Sequence, residues 1–150
     1  MRFLEDHKFE SFSVNDGLSQ NTVYSIVQDR KGFLWICTQL GLNRFNGYEF
    51  EIYKNDPNNK YSLQNNYIYT SFKDSSEKLW FGSLDGSLIN YNEIENSFYN
   101  YNIPLSETHS SLRNHISCIC ERSPSEYYIA LFGKGLFLFN KDLDRFVNIK

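Results

Sequence analysis

The chain has 150 residues and a net charge of −3, so nothing in its charge suggests a nucleic-acid backbone as partner. No run approaches the ~20 apolar residues of a membrane helix, and the first eight residues lack the apolar core of a signal peptide. Aromatic residues make up 17% of the chain, with 11 Tyr and 13 Phe, a composition that favours pleated, half-buried β surfaces over helices.

In chain order, the first predicted element is a lone strand, Phe9 to Val14, ending at the turn Asn15-Asp16-Gly17. It resembles the later stretch Phe50 to Asp56, and each leads to a leucine (Leu18, Leu63) that opens a longer unit. The first unit reads as strand Val23 to Gln28, turn Asp29-Arg30-Lys31-Gly32, strand Phe33 to Thr38, turn Leu40-Gly41, and strand Leu42 to Phe45. Asn46-Gly47 is a strong hairpin signal and leads to a fourth strand, Tyr48 to Tyr53, followed by a polar loop over 54–60.

The second unit places Ile68 for Val23, Asp74 for Asp29, Trp80 for Trp35, Gly86 for Gly41 and Tyr91 for Phe45, with a fourth strand near Ser97 to Tyr101 and a loop over 102–114. The third places Ile116 for Val23, Tyr128 for Trp35 and Gly135 for Gly41, with a last strand from Arg145 to Ile149. Val23, Ile68 and Ile116 set periods of 45 and then 48 residues. Four short strands per ~40–50 residues is the spacing of a propeller blade. The fold class is therefore all-β: a propeller segment of about three four-stranded blades (about 18–60, 61–108 and 109–150), preceded over 1–17 by a lone strand that completes a missing last blade. Tyr24, Ile26, Tyr69 and Ile119 make the second side of the inner strands partly apolar, which predicts burial on both faces.

The repeat VYSIVQDRKGFLWICTQLGLNRFN, then IYTSFKDSSEKLWFGSLDGSLINYN, then the weaker ISCICERSPSEYYIALFGKGLFLFN, resembles the two-component regulator propeller repeat. The lead-in over 12–21 resembles the opening of the sensor domain of hybrid two-component histidine kinases. The third copy departs from the pattern, with Ser125-Glu126-Tyr127-Tyr128 in place of the Gly-x-Leu-Trp core. The resemblance implies an extracytoplasmic, periplasmic sensor that responds to carbohydrate breakdown products, with membrane and kinase parts outside this chain. It also implies more blades. Three blades leave two open faces, so the expected partners are the remainder of the same propeller or a second copy, together with an oligosaccharide. No nucleic acid is expected, and membrane attachment would come only through other domains.

Repeated positions read as scaffold: Asp29, Trp35 and Gly41; Asp74, Trp80 and Gly86; Tyr128 and Gly135. Asn21, Asn66 and Asn114 repeat too and read as turn braces. Ligand groups are expected at positions that vary, on the face carrying the second-to-third strand turns (Gln39, Asp85, Lys134) and the links between blades (Tyr61, Arg113, His115). Polar groups beside aromatics suit a sugar. No catalytic residues, metal or cofactor are expected: His7, His109 and His115 are scattered, Gly133-Lys134-Gly135 is too short for a phosphate loop, and Cys118 and Cys120 read as reduced core cysteines. A protein-interaction scaffold is the alternative function, and a propeller lyase or glycosidase the more remote one.

Overall fold

The computed structural model describes residues 9–105 and 114–149. It contains three four-stranded antiparallel sheets, each a meander. The first joins β1 (Val23–Gln28), β2 (Leu34–Thr38), β3 (Gly41–Phe45) and β4 (Phe50–Tyr53); the second joins β5 (Ile68–Lys73), β6 (Leu79–Ser83), β7 (Ser87–Asn92) and β8 (Ser97–Asn102); the third joins β9 (Ile116–Ser123), β10 (Glu126–Leu131), β11 (Gly135–Asn140) and β12 (Arg145–Ile149). The inner strands β1, β5 and β9 lie side by side, β5 touching both others.

The sheets stack through two cores. Trp35, Cys37 and Leu42 of the first sheet meet Leu79, Phe81, Ile89, Tyr91 and Phe98 of the second. Trp80 and Leu88 of the second meet Ile119, Tyr127, Ile129, Phe137 and Phe139 of the third. Each large side chain buried in this way contributes about 1.5–3 kcal/mol. Cys37 belongs to the first core, where burial pushes its thiol up to about 12.

The repeated Asp–Trp pair is a turn brace tied to a core anchor. Asp29 accepts the N–H groups of Lys31 and Phe33 and, at 2.9 Å, the indole N–H of Trp35. Asp74 does the same for Ser76, Lys78 and Trp80, and also accepts the Tyr127 hydroxyl at 2.8 Å. The third sheet thus ties itself to the second through Tyr127, one residue before the expected aromatic position. Tyr128 does pair with Cys120 and Leu138 as Trp35 pairs with Val27 and Arg44. It faces away from the second sheet, half-buried.

The turn after β5 puts Glu77 at φ 63, where the first sheet has Gly32 at φ 88. A side chain in this left-handed region costs about 1 kcal/mol, and the exposed Lys73–Glu77 ion pair offsets little of it. Glu77→Gly is expected to stabilise the chain by about 0.5–1 kcal/mol, a rise of about 1–4 °C in Tm. A lower Tm in a thermal melt would contradict it. Gly82 has a different constraint: a Cβ there would lie 2.6 Å from the Cβ of Ile116, so it sets how closely the second and third sheets approach.

Three sequence expectations are corrected. Residues 9–13 form no strand; a short 3-10 helix, Val14–Asp16, follows, capped by Ser13. A strand needs a hydrogen-bonded neighbour, and among the described residues no strand pairs with this segment. Phe12 nonetheless packs on Phe45 and Phe50, 4.8 and 5.8 Å between ring centroids, as Tyr53 packs edge-on to Phe98 in the next sheet. The inner strands are not buried on both sides: Ile26 is 58% exposed, and Tyr24 and Tyr69 are only half-buried. Cys118 and Cys120 are free but exposed rather than in the core, because they lie on the side of the third sheet that no other sheet covers.

Candidate functional site

The antiparallel register slips near the start of the inner strand of every sheet, and in the third sheet it slips a second time between Glu126 and Tyr127. Val23 pairs with Thr38 and Ser25 with Cys37, which leaves Tyr24 as an extra, unpaired residue. Ile68 and Thr70 flank Tyr69 in the same way, and Ile116 and Cys118 flank Ser117. Such β-bulges twist the strand and re-aim the extra side chain out of the alternating pattern. Here they turn Tyr24 and Tyr69 out of the inter-sheet cores.

The re-aimed rings form a continuous aromatic ladder across the inner strands. Tyr24 lies 4.7 Å from Tyr69 and 5.3 Å from Tyr67 between ring centroids. Tyr67 and Tyr69 stack at 5.0 Å and 9°. Tyr69 stacks on His115 at 4.1 Å and 15°, and His115 on Phe132 at 4.8 Å and 16°. The hydroxyls of Tyr24 and Tyr67 share a 2.5 Å hydrogen bond. The backbone holds the ladder in place: Leu84 N–H donates to the Tyr67 carbonyl and Phe132 N–H to the His115 carbonyl.

The rings remain available at the surface, Phe132 being 46% exposed and the others half-buried. Hydrogen bonding with Tyr24 and then Tyr69 raises the Tyr67 phenol well above its usual value. Burial lowers His115 below its ordinary 6.5, so the imidazole is neutral at pH 7. The ladder is thus an uncharged strip of ring faces edged by hydroxyls. Among the described residues, no group of three or more His, Cys, Asp or Glu side chains is placed to hold a metal ion.

Of the expected ligand residues that the structure describes, only His115 lies in this strip. Gln39 is half-buried after the partner of Val23, the position Phe132 holds relative to Ile116. Asp85 turns its carboxylate back onto Ser83 Oγ and the Ser87 N–H, bracing its own turn. Lys134 lines a surface cavity with Pro104, Leu105, Phe137 and Phe146. Tyr61 sits on the link before the second sheet, edge-on to Tyr99 at 6.1 Å, with Lys60 4.8 Å from its ring centroid. Arg113, like His7 and His109, lies outside the described residues. Asn21 and Asn66 brace the entry to their sheets by accepting the Val14 and Asn55 N–H groups. Asn114 Oδ1 is buried without a partner among the described residues.

Residues 17–39 match the family model of the two-component regulator propeller. That stretch is one repeat of the two-component regulator propeller kind. The curated histidine kinase P4 of Formosa agariphila is 49% identical over 55 residues, which are 37% of this chain and 4% of that protein. The extracellular domain of the hybrid two-component system BT3049 from B. thetaiotaomicron superposes with a TM-score of 0.78 at 25% identity, over 94% of this chain and 20% of that one. The corresponding domain of BT4673 gives 0.59 at 26% identity, over 80% of this chain and 16% of that one. Virginiamycin B lyase from Staphylococcus aureus, at 14% identity and a TM-score of 0.61 over 85% of this chain and 41% of the lyase, shares the fold alone.

The propeller repeats here are thus homologous to extracellular domains of hybrid two-component systems, and the chain spans a small part of those relatives' length. The repeat motif itself accounts for Asp29, Trp35, Asp74 and Trp80, which work in turns and cores. The ladder lies next to that motif, on residues which the motif leaves unspecified.

Proposed function

We propose that this chain is a non-catalytic part of a periplasmic sensor and supplies a carbohydrate-binding strip on its inner strands. The aromatic ladder of Tyr24, Tyr67, Tyr69, His115 and Phe132 carries this reading. A pyranose presents an apolar C–H face and a rim of hydroxyls. Flat rings with phenol groups at their edge offer both an apolar surface and hydrogen-bond partners. A ligand lying along the ladder would touch all three sheets, so it would favour one packing of the sheets over another and bias a signalling equilibrium carried by other domains.

The outward face of the third sheet, where Leu136, Val147 and Ile149 are exposed, fits coverage by a further blade, either from the same propeller or from a second copy. Calorimetric titration with a panel of neutral oligosaccharides tests the ligand class. At least one member should give a saturable heat that Tyr69→Ala weakens about tenfold or more, as the loss of a central stacking ring implies. Tyr61→Ala, outside the ladder, should bind as the parent does. Silence across the panel, or binding indifferent to Tyr69→Ala, would overturn the reading.

A further inference from the structure

The five rings of the ladder are not alike. Phe132 ends it on the third sheet with a bare ring, and His115 stacks between Phe132 and Tyr69. The phenol hydroxyls all belong to the other end, where Tyr24, Tyr67 and Tyr69 lie 4.7–5.3 Å apart between ring centroids. The ladder therefore has an apolar end and a hydroxylated end, which gives a sugar lying on it a direction.

At the hydroxylated end, the Tyr24 and Tyr67 hydroxyls share one hydrogen bond of 2.5 Å between the first and second sheets. The backbone places both rings. Tyr24 is the extra residue of the β1 bulge. Tyr67 donates its N–H to Asn65 Oδ1 at 2.8 Å, and its carbonyl accepts the Leu84 N–H at 2.9 Å. The phenol bond is not the only tie between these inner strands. The Ser25 and Ser71 hydroxyls lie 2.7 Å apart, and the Ser71 N–H donates to Ser25 Oγ at 3.2 Å. The strands therefore stay joined without the phenols, whose side chains are half-buried rather than enclosed.

A phenol carries one donor hydrogen and accepting lone pairs. When two phenols share a bond, one gives its hydrogen to the other. The first keeps free lone pairs, and the second keeps a free O–H. The pair thus presents one acceptor and one donor side by side, and the shared bond polarises both. Tyr67, raised above its usual value first by the bond to Tyr24, keeps its proton. Two neighbouring hydroxyls of a sugar ring match this arrangement, one donating to the free lone pair and the other accepting the free O–H. A ring with one hydroxyl at that edge satisfies only half of it.

Building on the carbohydrate reading, we propose that the linked Tyr24 and Tyr67 hydroxyls are the specificity-determining groups of the ladder and recognise two neighbouring hydroxyls of the bound sugar. The rest of the sugar then runs toward His115 and Phe132.

Cellotriose, xylotriose, mannotriose and galactotriose are titrated calorimetrically into the 150-residue chain, Tyr24→Phe, Tyr67→Phe and the double variant. Each Phe variant keeps its ring, and a cooperative thermal melt shows that it folds. A trisaccharide that binds the parent should bind each single variant about tenfold more weakly. The double variant should fall short of the product of the two losses, because the hydroxyls act as a pair. A monodeoxy analogue lacking one of the recognised hydroxyls should bind the parent more weakly and lose little more with Tyr24→Phe. Binding that Tyr69→Ala weakens but both Phe variants leave unchanged would overturn this inference while the carbohydrate reading stands. So would losses that multiply in the double variant, or monodeoxy sugars that all respond to Tyr24→Phe as fully as the parent sugar does. No binding by any trisaccharide, or binding indifferent to Tyr69→Ala, overturns the carbohydrate reading and this inference with it.

Discussion

Asp74→Ala should destabilise the chain by about 2–6 kcal/mol, because it strips the acceptor from two buried donors at about 1–3 kcal/mol each. Those donors are the Trp80 indole N–H and the Tyr127 hydroxyl, on different sheets; the Ser76 and Lys78 N–H groups lie in an exposed turn and can turn to water. Asp29→Ala supplies the comparison. Asp29 holds one such donor, Trp35, and joins no second sheet, so its loss should cost about half as much. Denaturant melts of the two variants check this, and equal costs would contradict the role assigned to Tyr127. The carboxylate also sets a pH dependence. Burial alone would raise its pKa, but the hydrogen bonds from Trp80, Lys78, Tyr127 and Ser76 outweigh it and hold Asp74 below its ordinary 3.8. The folded value lies below the unfolded one, so the stabilisation is present above about pH 4 and lost as pH falls through the folded value. Asp74→Asn should remove that part of the acid sensitivity.

Trp80→Ala should cost about 3–5 kcal/mol, the range for emptying a buried aromatic site. Trp80 is fully buried, with Tyr127 at 4.5 Å and Tyr101 and Phe139 at 6.1 Å between ring centroids. Its removal opens a gap at the junction of the second and third sheets and leaves the Lys141 ammonium, 5.3 Å from its centroid, without that ring. Since Trp80 and Asp74 act through one contact, the double variant should fall short of the sum by about 1–2 kcal/mol. Tyr128→Ala changes the same repeated position in the third sheet, but on its uncovered side. It should cost about 1 kcal/mol or less in the 150-residue chain, and a loss as large as that of Trp80→Ala would mean the outward face is covered.

The sheet architecture was legible in the sequence because each strand, turn glycine and Asp–Trp pair recurs at a steady period. Gly41, Gly86 and Gly135 all sit at positive φ, 122°, 82° and 88°, as turn positions should. The lone strand was not legible: the segment around Phe12 keeps the aromatic contact of its homologous position, but a strand exists only with a neighbour to pair with. The site was largely hidden for two reasons. Reading strands with a period of 2 assumes strict alternation, and a one-residue bulge leaves no mark in composition, so Tyr24 and Tyr69 passed as inward-facing. Assigning repeated positions to scaffold and varied ones to ligand then worked against them, since Tyr24 and Tyr69 stand 45 residues apart, one full repeat. His115, which varies between copies, is the expected ligand residue that stacks in the ladder. The signal that would have exposed the rest is the density of aromatics at the start of the inner strands, Tyr67 and Tyr69 flanking Ile68 above all.

The most direct measurement is a set of aromatic ¹H–¹³C NMR spectra of the 150-residue chain, recorded while the oligosaccharide panel is titrated in. The ladder predicts that a binding sugar shifts the Tyr24, Tyr67 and Tyr69 ring signals together, with one saturation curve, and leaves Tyr61 and Tyr99 in place. Ladder rings that stay unmoved through the whole panel, or shifts confined to the rings outside it, would contradict the assignment of this strip as the carbohydrate-binding surface.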